Sequence, residues 1–187
     1  MQTYKDEQLI ADYLRGDEKS LELLIKRYLK SIYSFVYQYA SNPQDAQDIT
    51  QEVFIKIWRS SRRFNQKKSF KTWIFSIAKN TTIDFFRKKK AIPFSVFENA
   101  EGNNAVIDML VDTAPIPDKL FEQASITRML NSAMNKLSLK YRMVLSLHYN
   151  DHFTFREIAE ILSESINTVK THHRRGIAIL RRFLKEK

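Results

Sequence analysis

The chain has 187 residues, 31 Lys and Arg against 21 Asp and Glu, a formal net charge of +10 and no cysteine. This length suits one ordinary domain or two small ones, and with 43% apolar and 12% aromatic residues the chain can fill a core. The lack of cysteine excludes a disulfide framework, Cys-ligated zinc, an iron–sulfur cluster and a thiol nucleophile, while the positive balance points to an acidic partner such as nucleic acid.

The first seven residues, Met1 to Glu7, lack the basic-then-apolar order of a secretory signal. No run approaches the roughly 18 apolar residues that a membrane span needs. The expectation is a cytoplasmic, soluble protein without membrane insertion. Its charge is unevenly distributed. Residues 1–91 carry 18 Lys/Arg against 10 Asp/Glu, residues 92–118 carry none against 5, and residues 119–187 carry 13 against 6. The middle stretch also holds Pro93, Pro115, Pro117 and Gly102. Proline, glycine and like charges interrupt structure and extend a chain. The pattern therefore predicts a linker over 92–118 between two basic domains, 1–91 and 119–187; an ordinary long loop inside one domain is the alternative.

With three glycines and no alternating strand bounded by a tight turn, both blocks read as helical. From Asp17 to Tyr39, Leu21, Leu24, Ile25, Tyr28, Ile32 and Phe35 recur at steps of three and four, which is one helical face. Asn42-Pro43 ends it. Asp45 to Ser60 predicts a second helix, with Ile49, Val53, Ile57 and then Trp58 on its apolar side. Asp45, Asp48 and Glu52 form a carboxylate stripe on that helix. Three acids at this spacing could hold a metal or do acid–base work, but with no histidine nearby a contact with a basic protein partner is favoured. Lys71 to Lys90 predicts a third helix. Cations and aromatics interleave there and just before it, a combination suited to unpaired nucleic acid, although Trp73, Phe75 and Phe85 also fit a core. Asn80 stands mid-helix, where asparagine has no local advantage, and so calls for solvent or a base edge.

Beyond the linker, helices are expected over 119–136, 138–149, 154–162 and 165–185. Thr154 with Glu157 forms a capping box. Residues 163–165 read as a tight turn, with Ser165 as the next N-cap. Val169 can pack back on Ile158 and Leu162 across the small Ala159. This is a helix-turn-helix, whose second helix enters a major groove. Lys170, Thr171, Arg174 and Arg175 share its outer face, where they can meet phosphates or base edges. His172 and His173 point to different sides of the helix and make no chelating pair. The fold class is all-α: two small helical domains joined by a linker, the second containing the helix-turn-helix. No nucleophile–base pair, phosphate loop, metal site or cofactor motif is present, so the chain does not read as an enzyme.

Taken together, these residues resemble the bacterial RNA polymerase sigma factors of the extracytoplasmic-function (ECF) type. Asp45, Asp48, Gln51, Glu52 and Phe54 look like the helix that binds core polymerase. Phe70, Trp73, Ile74, Ile77, Ala78, Asn80, Asp84 and Arg87 look like the helix that melts the promoter and reads the minus-ten element. Leu137-Ser138, with Thr154 to Leu162 and Asn167 to Thr171, is similar to the minus-thirty-five reader. The resemblance implies a subunit that binds core polymerase at the clamp helices and flap and directs promoter recognition and melting.

The resemblance also implies site residues and partners. Phe64, Lys67, Lys68, Ser69, Phe70, Trp73, Asn80, Asp84, Arg87 and Lys88 would serve the minus-ten element, and Ser165, Asn167, Thr168, Lys170, Thr171, Arg174 and Arg175 the minus-thirty-five element. The implied partners are core polymerase, promoter DNA and an anti-sigma factor, with a monomer when free. The loop Asn65 to Ser69 lacks the Gly-Asp pair frequent in the family, so no preferred base carries over. Ser163 replaces a frequent glycine, so its backbone should either avoid positive φ or be slightly strained. The competing readings are a dimeric DNA-binding regulator independent of polymerase, which would need neither the acidic stripe nor the basic-aromatic helix, and a nucleic-acid enzyme, for which no catalytic constellation is present.

Overall fold

The computed structural model describes residues 4–40, 42–90, 129–130 and 132–185, apart from the side chains of residues 89 and 90. The expected linker over 92–118, and the first part of the helix expected over 119–136, lie outside the described residues. Among those described, every regular element is helical.

The sequence reading assigns no element before Asp17, yet Asp6–Leu14 forms a short helix, α1, that buries only Leu9 and Ile10. Nine residues carry too few apolar positions to display a period. Gly16 ends the helix at φ +109°, a conformation that residues with a Cβ rarely adopt. Asp17 then caps α2 (Glu18–Ala40), accepting from the Lys19 amide at 3.2 Å and from the Ser20 hydroxyl at 2.7 Å. Asn42 caps α3 (Pro43–Ser60) by accepting from the Asp45 amide at 2.8 Å, and proline occupies the first turn, where no amide is needed. A 3-10 turn, Ser61–Arg63, leads to α4 (Phe70–Lys90). The apolar stripes of α2, α3 and α4 meet in one core through Leu24, Ile32, Phe35, Ile49, Val53, Phe70, Ile74 and Phe75.

In the C-terminal part, α5 (Leu139–Tyr149), α6 (Phe155–Leu162) and α7 (Ile166–Lys185) follow. The expected capping box forms: the Glu157 amide donates to Thr154 Oγ1 at 3.3 Å and the Thr154 amide donates to Glu157 Oε2 at 2.8 Å. Ser163 takes the strained alternative, at φ 59° and ψ 41°. Ser165 caps α7 by accepting from the Thr168 amide at 3.0 Å. Ile158, Ile161 and Val169 are buried, which closes the helix-turn-helix.

The two domains are in contact. α4 lies against α6, with the Phe75 and Phe153 rings edge to face at 4.9 Å and Lys71 Nζ 4.5 Å above the Phe153 ring. Lys71 also donates to the Asp151 carbonyl, and Thr72 Oγ1 donates to Glu157 Oε1 at 3.3 Å. Gln38 of α2 donates to the Ser146 hydroxyl of α5 at 2.9 Å.

On α3 the expected burial of Trp58 is overturned. Ile49, Val53 and Ile57 are buried as expected, but Trp58 is 59% exposed. A single step along a helix turns about 100°, which carries Trp58 off the buried stripe and onto the outer one.

Candidate partner and nucleic-acid faces

The α3 stripe divides by burial. Asp48, Gln51 and Glu52 are exposed. Asp48 accepts from Gln44 Nε2 at 3.3 Å, and Glu52 lies 3.8 Å from Lys56 Nζ. Asp45 is 8% exposed and accepts from Asn42 Nδ2 at 2.9 Å, so it belongs to the start of the helix rather than to its open face. Phe54 is half-buried against the core. The accessible part of the expected polymerase face is therefore Asp48, Gln51 and Glu52, continued by exposed Ile55 and Trp58, which the spacing argument did not select.

The expected minus-ten residues fall into three groups. Phe64 and Phe70 are buried, and their rings meet edge to face at 5.4 Å; half-buried Trp73 packs on both, at 4.9 and 5.6 Å. Apolar area and ring geometry hold these three inward, so Phe64 and Phe70 support the loop from beneath instead of presenting a face to DNA. Ser69 caps α4, its hydroxyl accepting from the Thr72 amide at 3.2 Å. Lys68 pairs with Glu160 of α6 at 3.5 Å, and Asp84 pairs with Arg87 one turn on. Lys67, Asn80, Arg87 and Lys88 are exposed. Thr81 and Thr82, next to Asn80, are buried, so Asn80 is turned away from the core. Ten residues separate Asn80 from Phe70, about 15 Å along the helix. The loop and Asn80 thus lie along one helix without touching.

On α7, Asn167, Lys170, Arg174 and Arg175 are exposed and Thr171 is half-buried beside them. Ser165 and Thr168 are engaged with each other, their hydroxyls 2.8 Å apart. The two histidines diverge as expected. His172 Nδ1 lies 3.3 Å from Glu164, whereas His173 Nε2 lies 3.1 Å from the Tyr149 hydroxyl and its ring meets that of His148 at 5.3 Å. Burial, then the neighbouring His148, holds His173 below the usual histidine range. No group of three or more potential metal ligands occurs among the described residues.

A groove of about 630 Å³ lies between α2 and the C-terminal helices, lined by Tyr33, Tyr37, Leu145, Ile177 and Leu180 among others. Arg142 stands in its wall at 6% exposure. Its Nη2 donates to the Gln38 carbonyl at 3.4 Å, while its Nε has no partner. Asp151 lines the same groove, and burial raises its carboxyl from 3.8 to about 6, opposed by Lys71 and His152. The folded state therefore holds this proton more tightly than the unfolded chain. Its stabilising contribution is complete below pH 3.8 and is lost as pH rises through about 6. Asp151→Asn is expected to raise Tm at pH 7.5 by a few degrees, or about 1 kcal/mol because the carboxyl keeps some solvent, and to leave Tm at pH 4 nearly unchanged. Thermal melts of the two proteins across pH 4–8 check this.

The comparisons with known proteins agree with the geometry. The description "Sigma-70 region 2" matches residues 24–92, and "Sigma-70, region 4" matches residues 127–180. The ECF RNA polymerase sigma factor SigW of Bacillus subtilis is 33% identical over 174 residues, covering 92% of each chain. SigX of the same organism is 28% identical over 167 residues, covering 89% of this chain and 84% of its own. Among solved structures, CnrH in complex with the cytosolic domain of CnrY aligns at a TM-score of 0.63 with 20% identity, over 97% of this chain and 98% of that one. RpoE of Bartonella quintana in complex with the anti-sigma factor NepR also aligns at 0.63, with 21% identity over 89% and 98% of the two chains. With carboxylates exposed on one helix, cations on two others and both region matches in order, the chain belongs to the ECF group of RNA polymerase sigma factors.

Proposed function

We propose that each exposed face of this promoter-recognition subunit has one role. Asp48, Gln51 and Glu52 meet cations on the clamp helices of core RNA polymerase. The loop Asn65–Ser69, buttressed by Phe64, Phe70 and Trp73, holds a base turned out of the minus-ten element, and Asn80 adds a hydrogen-bonding edge along α4. Flipping a base costs a few kcal/mol, which a shaped pocket must recover. Arg87 and Lys88 meet the backbone. The N-terminal half of α7 enters the major groove at the minus-thirty-five element, with Lys170, Thr171, Arg174 and Arg175 at base edges and phosphates and Asn167 at its mouth, while the domain sits on the polymerase flap. The observation that carries this reading is one chain bearing an exposed carboxylate face and two separate exposed cationic faces. The protein works in the cytoplasm as an initiation factor without catalysis of its own; no helix among the described residues is long and apolar enough to cross a membrane.

The two promoter elements are about 25 base pairs apart, or roughly 85 Å at 3.4 Å per base pair. Here α4 touches α6. One chain can therefore hold both elements only after that contact parts, and the closed arrangement belongs to the monomer off DNA. An anti-sigma factor fits the same logic. The groove spans both domains, and a carboxylate from such a partner would satisfy the buried Arg142 and keep the domains together.

Run-off transcription with purified core polymerase tests the function. Start-site-specific transcripts are expected to require this protein, and transcripts that appear without it would overturn the reading. In the same assay Asn80→Ala is expected to change the relative use of promoters that differ at the minus-ten element. A uniform loss across them would make Asn80 structural.

A further inference from the structure

The groove between α2 and the C-terminal helices holds a cation without a counter-charge. Arg142 lines it at 6% exposure. Its Nη2 donates to the Gln38 carbonyl over a long 3.4 Å, and its Nε is buried with no partner. Burial holds the guanidinium below its usual pKa, and among the described residues no carboxylate offsets that burial. Gln38, on the α2 wall, is half-satisfied in the same way: its Nε2 donates to Ser146 at 2.9 Å, while its Oε1 is buried with no partner. Buried charges are normally paired, because removing one from water is costly.

The size and lining of the groove are the second observation. The Tyr33 and Tyr37 rings stack at 6.1 Å and 22° and form a flat aromatic wall, and Leu145 and Leu180 complete an apolar lining. Its volume of about 630 Å³ suits one small ligand, since such sites span roughly 300–1,000 Å³ and combine apolar walls with a few polar groups. A protein partner instead covers roughly 800 Å² of surface on each side. The charge balance of the lining is positive. Lys30 is exposed beside Arg142, and the one carboxylate among the described lining residues, Asp151, is opposed by Lys71 and His152.

We propose that the groove is a binding site for a small amphipathic anion, a carboxylate carried on an aryl-alkyl body. The carboxylate stands against Arg142, and the body lies along Tyr33, Tyr37, Leu145 and Leu180. The walls come from both domains, α2 from the first and α5 and α7 from the second. The bound anion therefore ties the domains together and opposes the parting that promoter engagement requires. That consequence rests on the function proposed above; the binding site itself does not. Initiation would then respond to an acidic small molecule directly, through mass action on the closed form.

Calorimetric titration of the full-length protein with phenylbutyrate and with its neutral amide, phenylbutyramide, tests the site. The acid is expected to bind about tenfold or more tightly than the amide. Arg142→Met should lose that preference, and its melting temperature should not fall, because an apolar side chain of similar volume replaces an unpaired buried charge. Ser34→Trp changes an exposed residue of the lining and should block both compounds without moving the melting curve. In run-off transcription the acid should reduce transcripts made with the parent protein and leave those made with Arg142→Met at their level without acid. Failure of the acid to bind overturns the proposal, as does equal binding of acid and amide or an undiminished preference in Arg142→Met. Saturating acid with undiminished transcription overturns the inhibitory role and leaves the initiation reading intact. Transcripts that do not require the protein overturn that reading and leave the titration standing.

Discussion

Asp48→Lys is expected to reduce affinity for core RNA polymerase on the order of 100-fold at low salt, with no loss of fold. Asp48 is exposed, and among the described residues it accepts from Gln44, four residues earlier on the same helix. Reversing its sign therefore disturbs nothing in the core, and the measured loss belongs to the interface. Opposed like charges at an interface cost several kcal/mol, and the penalty should shrink as salt rises because the site is solvated. The isolated C-terminal domain carries none of this face, so DNA binding by full-length protein through α7 should be unchanged. Native polymerase affinity in the variant would reduce the carboxylates to a solvated surface. Equilibrium titration at two salt concentrations, with circular dichroism as the folding control, separates these outcomes.

The second large effect is expected at Gly176, in the middle of α7. A Cβ at this position would lie 3.0 Å from Leu145 Cδ1 and 3.3 Å from Tyr141 Cβ, because α5 crosses α7 there. Gly176→Ala meets chiefly the end of a leucine side chain, which can move, and gains up to about 1 kcal/mol of helix propensity. Its net effect should be near zero. Gly176→Leu must push α5 away, at about 1–3 kcal/mol. Because α5 and α7 frame the helix-turn-helix, minus-thirty-five binding should fall with stability, while polymerase binding through α3 persists. Urea unfolding and a binding assay on a minus-thirty-five duplex check the pair. Equal destabilisation by alanine and leucine would mean that the close approach is not the cause.

Both predictions depend on which side of a helix a residue faces, and here sequence reading succeeds only partly. On α2 the run of apolar residues is long, and Leu21, Leu24, Tyr28, Ile32 and Phe35 are all buried where the period puts them. On α3 the same argument succeeds for Ile49, Val53 and Ile57 and fails one residue later at Trp58. Hydrophobicity says that an indole prefers to be covered, but not whether its own domain or another protein covers it. Asp45 fails in the opposite direction. A carboxylate at helical spacing from Asp48 looks like part of an exposed stripe, but it sits in the first turn, where it accepts from Asn42 and is buried. Phe64 and Phe70 could each have faced a base or the core, and only their contact with each other and with Trp73 decides for the core.

The sequence alone determined what depends on neighbours along the chain: the helices from α2 onward, the capping box at Thr154 and Glu157, the N-cap at Ser165, the order of the three motifs and the division of charge into two basic blocks. Capping, periodicity and charge are local quantities, legible over a few residues. The tertiary structure decided what depends on residues distant in the chain. It turned Trp58 and Ile55 outward, buried Asp45, left the Arg142 Nε in the groove wall without a partner and pressed α4 against α6 through Phe75 and Phe153. Burial and long-range packing are set by which faces meet, and a single helical period does not specify its partner. The net charge of +10 pointed only to an acidic ligand, and its division among separate faces is what supports the proposed polymerase surface and the two proposed DNA surfaces.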